Sequence, residues 1–293
     1  VSSRVETIDR KTALSHAAFS MGNDMAKMAG MSSAPKNKTG SSVVKKKVEA
    51  AAKTGVLSLT EHKLEKVPSV VVKELGGAAS KLRTLDLSAN KLEALPDFAG
   101  AFPKLRTCKL HRNRLAALPA LSGALVSLDL SENRVTSAGL EACLAAATAL
   151  EELRCAKNPL GAGCGPAALA KLARLRIFVA SDCGLTALLL FDGALWPALV
   201  EVVADGNAIA GLDDALAARA PALRRLSLER NGLAGLPRSL LALKTLDRLD
   251  LKGCPISKKQ FLELDGVDDF MKRREKNRKK EGGGSDFGVC GLD

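Results

Sequence analysis

The chain contains no tyrosine, and phenylalanine and tryptophan together bring its aromatic content to only 3% of 293 residues. Aromatic rings usually supply much of the buried area of a domain core. Because 46% of the residues are nevertheless hydrophobic, the core must be built from leucine, valine and alanine. A core made of similar, small aliphatic side chains favours a regular architecture.

The histidines and cysteines are not spaced as they are in metal sites or redox motifs. The three histidines, His16, His62 and His111, are scattered and show no metal-ligand spacing. None of the seven cysteines belongs to a CxxC pair, and no GxxxxGK[ST] or GxGxxG loop follows a strand pattern. We therefore predict no metal site and no cofactor, and we expect reduced thiols in a cytosolic or nuclear protein.

Long apolar runs are also absent, and charge is unevenly spread. No run reaches the roughly 18 to 20 residues that a membrane helix needs, since the longest, which begins at Leu185, is interrupted by Asp192. The net charge of +12 is concentrated at the ends of the chain. Residues 1–53 hold ten Lys/Arg against four Asp/Glu, and residues 271–293 hold seven against four. Such ends predict at most weak contact with anionic membranes.

The middle of the chain repeats the pattern LxxLxLxxNxL. The most complete copy, LRTLDLSANKLEALP, begins at Leu82, and LRRLSLERNGLAGLP begins at Leu223. Nine copies begin at residues 54, 82, 105, 125, 150, 175, 199, 223 and 246. Their spacing lies mostly within the period of about 20 to 29 residues that is typical of leucine-rich repeats. The spacing predicts an α/β solenoid, a right-handed horseshoe with a parallel concave sheet and short helical or 3₁₀ convex segments.

Each copy alternates apolar and polar residues, so that Leu85 and Leu87 point inward while Asp86 faces the concave surface. A polar position after each strand predicts a buried ladder whose side chains bond backbone groups of the turn and of the neighbouring coil. The ladder residues are Asn90, Asn113, Asn133, Asn158, Cys183, Asn207, Asn231 and Cys254.

A solenoid also needs caps over its end coils. An amphipathic helix is predicted from about Ser42, with Gly55 as its end. Its apolar positions are Val44, Val48, Ala51 and Ala52. The residues expected to cover the last coil are Phe261, Leu262, Leu264, Val267, Phe270 and Met271. We therefore divide the chain into a disordered segment, 1–41, a capped repeat domain, 42–270, and a basic, then Gly-rich tail, 271–293.

The repeats resemble the leucine-rich repeat family, and the caps VEAAAKTGVLSLTEHKLEKVP and FLELDGVDDFMKRREKNRKK are similar to those of small intracellular members. The chains of those members begin Met-Gly-Asn, which Met21, Gly22 and Asn23 match. The resemblance implies that Cys183 and Cys254 replace asparagine in the ladder, that the protein binds other proteins, and that it has no catalytic residue. If Met21 is the first residue of the natural chain, residues 1–20 would lie upstream of it.

Removal of Met21 would expose Gly22, which we consider as a site of N-myristoylation. The N-myristoylation pattern has Ser or Thr at the position that Ala26 occupies in this chain. The basic run Lys45, Lys46 and Lys47 would supply the second signal that stable anchoring requires. Alternatively, these lysines simply belong to a disordered, Lys-rich segment that precedes the first cap.

One group of residues superficially resembles a hydrolase site. Ser88, His111 and Ser131 share one position of successive coils, and Asp86 and Asp129 share the position two residues before it. The consensus LDLSxN already explains both aspartates and both serines. A flat, exposed sheet offers neither a dry pocket nor an oxyanion site, so we predict no enzymatic activity.

The outward positions of the concave face suggest a binding site instead. Ile177, Val179 and Val203 fall together on a surface that is otherwise charged. The charged residues expected around them are Arg154, Glu201 and Arg225, together with Asp182, Asp205 and Arg230. An apolar centre with a charged rim is typical of an interface hot spot, and the alternative is sequence drift or a patch covered by a loop.

Two functions follow from these features. The first is a monomeric, cytoplasmic scaffold or adaptor that binds a protein partner on its concave face. The second is a peripheral membrane or polyanion adaptor anchored through the basic ends. We predict no specific nucleic-acid binding, because the basic run after Met271 has no interleaved aromatic residues for base stacking.

Overall fold

The computed structural model describes residues 41–77, 80–162, 167–188, 194–280 and 289–292. The segment predicted to be disordered lies outside these ranges except for its last residue, as do Gly22 and residues 281–288. Within the described ranges, nine strands form one parallel sheet whose spatial order is the order of the chain. This topology confirms the predicted solenoid.

Each strand is three residues long, with a buried central residue between two outward-facing neighbours. The strands are β1 Val56–Ser58, β2 Thr84–Asp86, β3 Thr107–Lys109, β4 Ser127–Asp129, β5 Glu152–Arg154, β6 Ile177–Val179, β7 Glu201–Val203, β8 Arg225–Ser227 and β9 Arg248–Asp250. Backbone pairing continues past the strands, since the Leu87 amide donates to the carbonyl oxygen of Lys109 at 2.9 Å. The coils therefore stack in register along the whole concave face.

Most of the described helices are short, whereas the first and the last, of 14 residues each, belong to the caps. The helices are α1 Ser41–Thr54, α2 Ser69–Leu75, α3 Phe98–Ala101, α4 Ser137–Leu144, α5 Leu216–Arg219, α6 Arg238–Ala242, α7 Lys258–Leu262 and α8 Val267–Lys280. Helix α4 is capped by the Thr136 hydroxyl, which accepts from the Gly139 amide at 3.2 Å. In the Ala-rich stretch after Asn158, residues Ala167–Lys171 form a 3₁₀ helix.

Leucine fills most of the space between the sheet and the convex segments. The few aromatic residues are nevertheless among the most deeply buried. The largest fully buried side chains are Trp196, Phe98, Phe102, Phe178, Phe261 and Phe270. Trp196 also donates its indole N–H to the Leu169 carbonyl oxygen of the preceding coil at 2.9 Å, so its polar atom is satisfied inside the core.

The first cap is helix α1, which buries Val44, Val48 and Ala51. Ala52 is exposed, contrary to the expectation from the sequence. At about 100° per residue, Ala52 lies some 80° around the helix from Val44 and so falls outside the buried stripe. Gly55 ends the helix with a φ of 75°, and its amide donates to Ala51 at 2.8 Å.

The second cap is longer than the sequence suggested. Helix α8 continues for ten residues past the predicted boundary at 270. Within it, the Arg273 guanidinium donates to the Leu241 carbonyl oxygen at 2.6 Å, and the Asn277 amide donates to Asp247 at 3.3 Å. These polar residues satisfy acceptors of the last two coils, so the helix stays packed on the repeats beyond residue 270.

Residues 289–292, which belong to the Gly-rich tail, pack against the last coil. Cys290 is fully buried, and its carbonyl oxygen accepts from the Leu251 amide at 2.8 Å. In the preceding coil, the equivalent Leu228 amide donates to Asp250 of the next strand at 2.9 Å. Cys290 therefore takes, beside the last strand, the place that Asp250 takes for the preceding coil.

Candidate functional site on the concave face

The apolar patch, which we define as Ile177, Val179 and Val203, lies on the concave surface of strands β6 and β7. The buried residues between these positions are Phe178 and Val202, both of which are fully covered. Because strand side chains alternate between the two faces, the patch residues point away from the core. Val179 and Val203 are direct register partners, so the patch is continuous across two coils. All three patch residues are partly exposed.

The charged rim consists of two ion pairs on either side of the patch. On β5, the Arg154 Nε lies 2.6 Å from a carboxylate oxygen of Glu152. On the other side, the Arg225 guanidinium of β8 lies 3.1 Å from Glu201 of β7. Three of the six rim residues named from the sequence, Arg154, Glu201 and Arg225, thus lie on strands next to the patch or one strand beyond it, and Glu152 is the partner of Arg154. At this exposure the pairs add little stability, but they present oriented donors and acceptors.

Beyond Val203 the concave face becomes polar. Asp205 accepts from the Ser227 hydroxyl at 2.7 Å and from the Glu229 amide at 2.9 Å. Ser227 is the register partner of Val203 and is almost completely buried. The apolar patch therefore ends at β7.

The ladder asparagines bond their own turn and the preceding coil. The amide nitrogen of Asn133 donates to the carbonyl oxygens of Leu110 at 3.0 Å and Leu130 at 2.9 Å. Its side-chain oxygen accepts from the Leu115 amide at 3.0 Å. The same three contacts recur at Asn90, Asn113, Asn158, Asn207 and Asn231.

Cys183 and Cys254 lie at the ladder position but make different contacts. The Cys183 thiol donates to the Cys155 carbonyl oxygen at 3.2 Å, and the Cys254 thiol donates to that of Leu228 at 3.1 Å. The hydrogen bond with Cys183, together with burial, raises the pKa of the Cys155 thiol well above its usual range. Burial also raises the pKa of Cys143 to about 12. Cys143 and Cys155 therefore stay protonated at neutral pH and are poor nucleophiles.

The group that resembles a hydrolase site does not assemble into one. Ser88 donates both its hydroxyl and its amide to Asp86. Burial raises the pKa of Asp86, but the hydrogen bonds from Ser88 and smaller contributions from its neighbours leave it below the usual value. His111 Nδ1 lies 3.1 Å from an Asp129 oxygen, close enough for an ion pair but without the alignment of a hydrogen bond. Among the described residues, no serine hydroxyl bonds His111, so no activated nucleophile is formed.

Metal-ligand clusters and membrane-spanning helices are both missing from the described residues. In that part of the chain, no group of three or more His, Cys, Asp or Glu side chains is placed to hold a metal ion. None of the described helices is long and apolar enough to cross a membrane.

Comparison with protein families matches residues 125–142 to the model described as Leucine Rich repeat. This stretch includes strand β4 and Asn133. No curated protein matches the chain.

Solved structures share the fold. The octameric complex of Latrophilin 3, Unc5D and FLRT2 (LRR) contains a chain that is 22% identical, with 74% of this chain and 66% of that chain covered and a TM-score of 0.58. YopM from Yersinia pestis is 19% identical over 84% of this chain and 72% of its own, with a TM-score of 0.52. YopM from Yersinia enterocolitica is 26% identical, with a TM-score of 0.46, and the match covers 60% of this chain but only 34% of that one.

The fold is therefore that of a leucine-rich repeat solenoid, and the matched copy supports the leucine-rich repeat family for this chain.

Proposed function

We propose that the protein is a non-enzymatic scaffold or adaptor that binds a protein partner on its concave face. The observation that carries the proposal is the apolar patch on β6 and β7, flanked by the Glu152–Arg154 and Glu201–Arg225 pairs. Covering the patch would remove apolar surface from water, and the rim would fix the partner's orientation.

The fold is suited to this function. A solenoid presents a long row of side chains on a rigid surface, and each coil contributes one or two of them. In the structure with Latrophilin 3 and Unc5D, the LRR part of FLRT2 belongs to an octameric protein complex. That likeness supports protein binding as a use of the fold.

We also propose that the protein is a cytoplasmic monomer. All six described cysteines are free thiols, as is typical of reducing compartments. The Leu251 amide, which follows the last strand, is already bonded within the chain by the Cys290 carbonyl oxygen and so is not available to a second chain. The similarity of the caps to those of leucine-rich repeat-containing protein 57 also favours an intracellular location.

The test places two carboxylates in the patch. The variant Val179→Asp/Val203→Asp should fold, because neither side chain belongs to the core. In a partner's apolar contact the unpaired carboxylates would be desolvated, so affinity should fall by about 10²-fold or more. The measurement is quantitative recovery of partners from cell extract, with folding matched by circular dichroism.

A matched control is Thr84→Asp/Thr107→Asp, which adds the same charge at outward positions of β2 and β3. Partners that depend on the patch should be kept by this control and lost by the patch variant. Equal recovery with all three proteins would contradict the proposal. If the patch variant loses its fold, Val179→Ser/Val203→Ser repeats the test without buried charge.

A second candidate function is a peripheral membrane or polyanion adaptor anchored through the basic ends, with N-myristoylation at Gly22 as an added anchor. The exposed Lys272 and Lys276 of α8 favour it. Sedimentation with anionic vesicles distinguishes the two, since binding through basic ends should fall steeply between low and physiological salt. Binding at the apolar patch should change little.

A further inference from the structure

Cys155 and Cys183 form a pair of thiols between two neighbouring coils. Cys155 directly follows strand β5, and Cys183 lies at the ladder position of the next coil, after β6. The Cys183 thiol donates to the Cys155 carbonyl oxygen at 3.2 Å, and the two thiols are also hydrogen-bonded to each other. The two thiols therefore lie side by side in the folded protein, although they are 28 residues apart in the sequence.

This pairing of thiols is specific to one place in the stack. Cys254 also lies at the ladder position, but its thiol donates to the carbonyl oxygen of Leu228 at 3.1 Å, so it faces a residue without a thiol. In the two coils after Cys155, the equivalent positions are held by Ala180 and Ala204. Among the nine copies of the repeat, a cysteine at this position precedes a cysteine of the ladder only once.

The two thiols differ in reactivity. The hydrogen bond with the Cys155 thiol lowers the pKa of Cys183, and burial raises it. Backbone hydrogen bonds from Asn158 and Lys157 lower the pKa again, so that on balance it lies below its usual value. The same bond between the thiols is the main cause that raises the pKa of Cys155. Because the thiolate is the nucleophile, Cys183 is the thiol that attacks, while Cys155 stays protonated.

Cys183 is buried, but the turn beside it contains glycine on both coils. The Gly161 amide donates to the Cys183 carbonyl oxygen at 3.2 Å. Among the described residues, a Cβ added at Gly161 would meet no heavy atom within 4 Å, and one added at Gly184 would meet only Gly161, at 3.9 Å. No described side chain therefore crowds this turn, and a small oxidant can reach the thiol when the turn opens locally.

We propose that Cys183 is an oxidation site and that Cys155 is its resolving partner, so that a hydroperoxide converts the pair into a disulfide between the coils of β5 and β6. The site stands apart from the proposed protein-binding function, because neither thiol belongs to the apolar patch.

The reaction has two steps. The Cys183 sulfur attacks one oxygen of the hydroperoxide, the O–O bond breaks, and the other oxygen leaves with the thiol proton as an alcohol or as water, so that Cys183 becomes a sulfenic acid. Cys183 is then no longer the partner that keeps Cys155 protonated. The Cys155 sulfur attacks the Cys183 sulfur, the S–O bond breaks, and its oxygen leaves with the Cys155 proton as water. Two electrons thus pass from the thiols to the peroxide, and a dithiol reductant reverses the link.

The experiment treats the reduced full chain with hydrogen peroxide and identifies linked peptides by mass spectrometry after digestion without a reductant. We expect a pair of peptides joined through Cys155 and Cys183, lighter by two hydrogen atoms than the separate peptides, and its loss with dithiothreitol. The thermal midpoint of the oxidised chain should rise, since the link restricts the unfolded chain. All proteins carry Cys164→Ser, because Cys164 lies outside the described residues and its thiol could otherwise take part.

Two variants separate the roles of the thiols. Cys155→Ala is compatible with the fold, because Ala180 and Ala204 are buried at the same position of the next two coils. It should abolish the link and leave Cys183 as a sulfenic acid that dimedone traps. Cys183→Asn, which restores the asparagine of the ladder, should abolish both the link and the trapped product. The matched control, Cys254→Asn, makes the same change at the other cysteine of the ladder and should leave the yield of the link unchanged.

Three results would each overturn the proposal. They are the absence of the linked peptide at a peroxide concentration that oxidises Cys254, an equal yield of linked Cys183 in Cys155→Ala, and a link that forms only in the urea-unfolded chain. The variant Val179→Asp/Val203→Asp should still form the link, so that a failure of the protein-binding proposal would leave this result unaffected.

Discussion

The six asparagine turns and the two cysteine turns occupy the same place in their coils but hold the preceding coil differently. Asn133 accepts from the Leu115 amide and donates to the Leu110 carbonyl oxygen, so it satisfies both kinds of backbone group in that coil. Cys183 donates to the carbonyl oxygen of Cys155, while the Leu160 amide turns to Asn158 of its own coil at 2.8 Å. At Cys183 the stack thus tolerates a cysteine because the amide finds a local acceptor.

Both kinds of turn share a left-handed backbone. The residue before each of the eight ladder positions has a positive φ. These residues are Ala89, Arg112, Glu132, Lys157, Asp182, Gly206, Arg230 and Gly253. A left-handed conformation costs a non-glycine residue about 1 to 2 kcal/mol. The ladder side chains therefore hold a turn that the backbone alone would not adopt.

The largest expected effect is the loss of an asparagine. Asn133→Ala would leave the Leu115 amide and two carbonyl oxygens without their partner in the interior. Because unsatisfied buried polar groups are costly, we expect the free energy of unfolding to fall by about 1 to 3 kcal/mol. Urea unfolding measures this loss, and hydrogen exchange should show faster opening of the coils around β3 and β4.

The matched control is Cys183→Ala at the same position of another coil. It removes a thiol that is only a weak donor, so the loss should be about 1 kcal/mol or less. Equal losses for Asn133→Ala and Cys183→Ala would show that the two turns do not differ in the way described.

The stacking of the coils could be predicted from the sequence because each coil repeats the same pattern of apolar and polar residues. Alternation in the strands placed Leu85 inward and Val179 and Val203 outward, and neighbouring copies align simply by their repeat positions. The contacts of Asp247 could not be predicted in this way, because they depend on how α8 packs.

Both ends of the solenoid were less predictable. Residues 289–292 carry no repeat of their own, and they are held by the Leu251 amide at the exposed edge of β9, a long-range contact. Helix α8 could not be distinguished from a basic tail in the sequence. Arg273 donates to two carbonyl oxygens at the end of α6, and this long-range contact is visible only in the fold. The left-handed turns were also missed, since residues such as Ala89 and Arg112 give no glycine signal.

A smaller effect is expected when a cysteine turn is converted to an asparagine turn. In Cys254→Asn, the new side-chain oxygen would accept from the Leu233 amide, which now faces sulfur, a weak acceptor. Cys254 is partly exposed, which leaves room for the larger side chain. We expect the free energy of unfolding to rise by about 1 kcal/mol. Cys254→Ser, which also supplies oxygen but does not reach as far, should give little or none of the gain in urea unfolding.

The smallest effect concerns the strained residue before the ladder. Ala89→Gly should relieve the left-handed strain at φ 54°, but glycine also gains freedom in the unfolded chain, so a net stabilisation of only about 0.5 kcal/mol is expected. The converse change, Gly253→Ala, would add a Cβ 3.3 Å from the Arg230 side chain at φ 75° and should destabilise the cysteine turn by about 1 kcal/mol. Paired urea unfolding curves measure both. If Ala89→Gly destabilised the protein instead, the hydrogen bonds of Asn90 would already have relaxed the strain at position 89. The asparagine and cysteine turns would then differ in backbone strain as well as in hydrogen bonding.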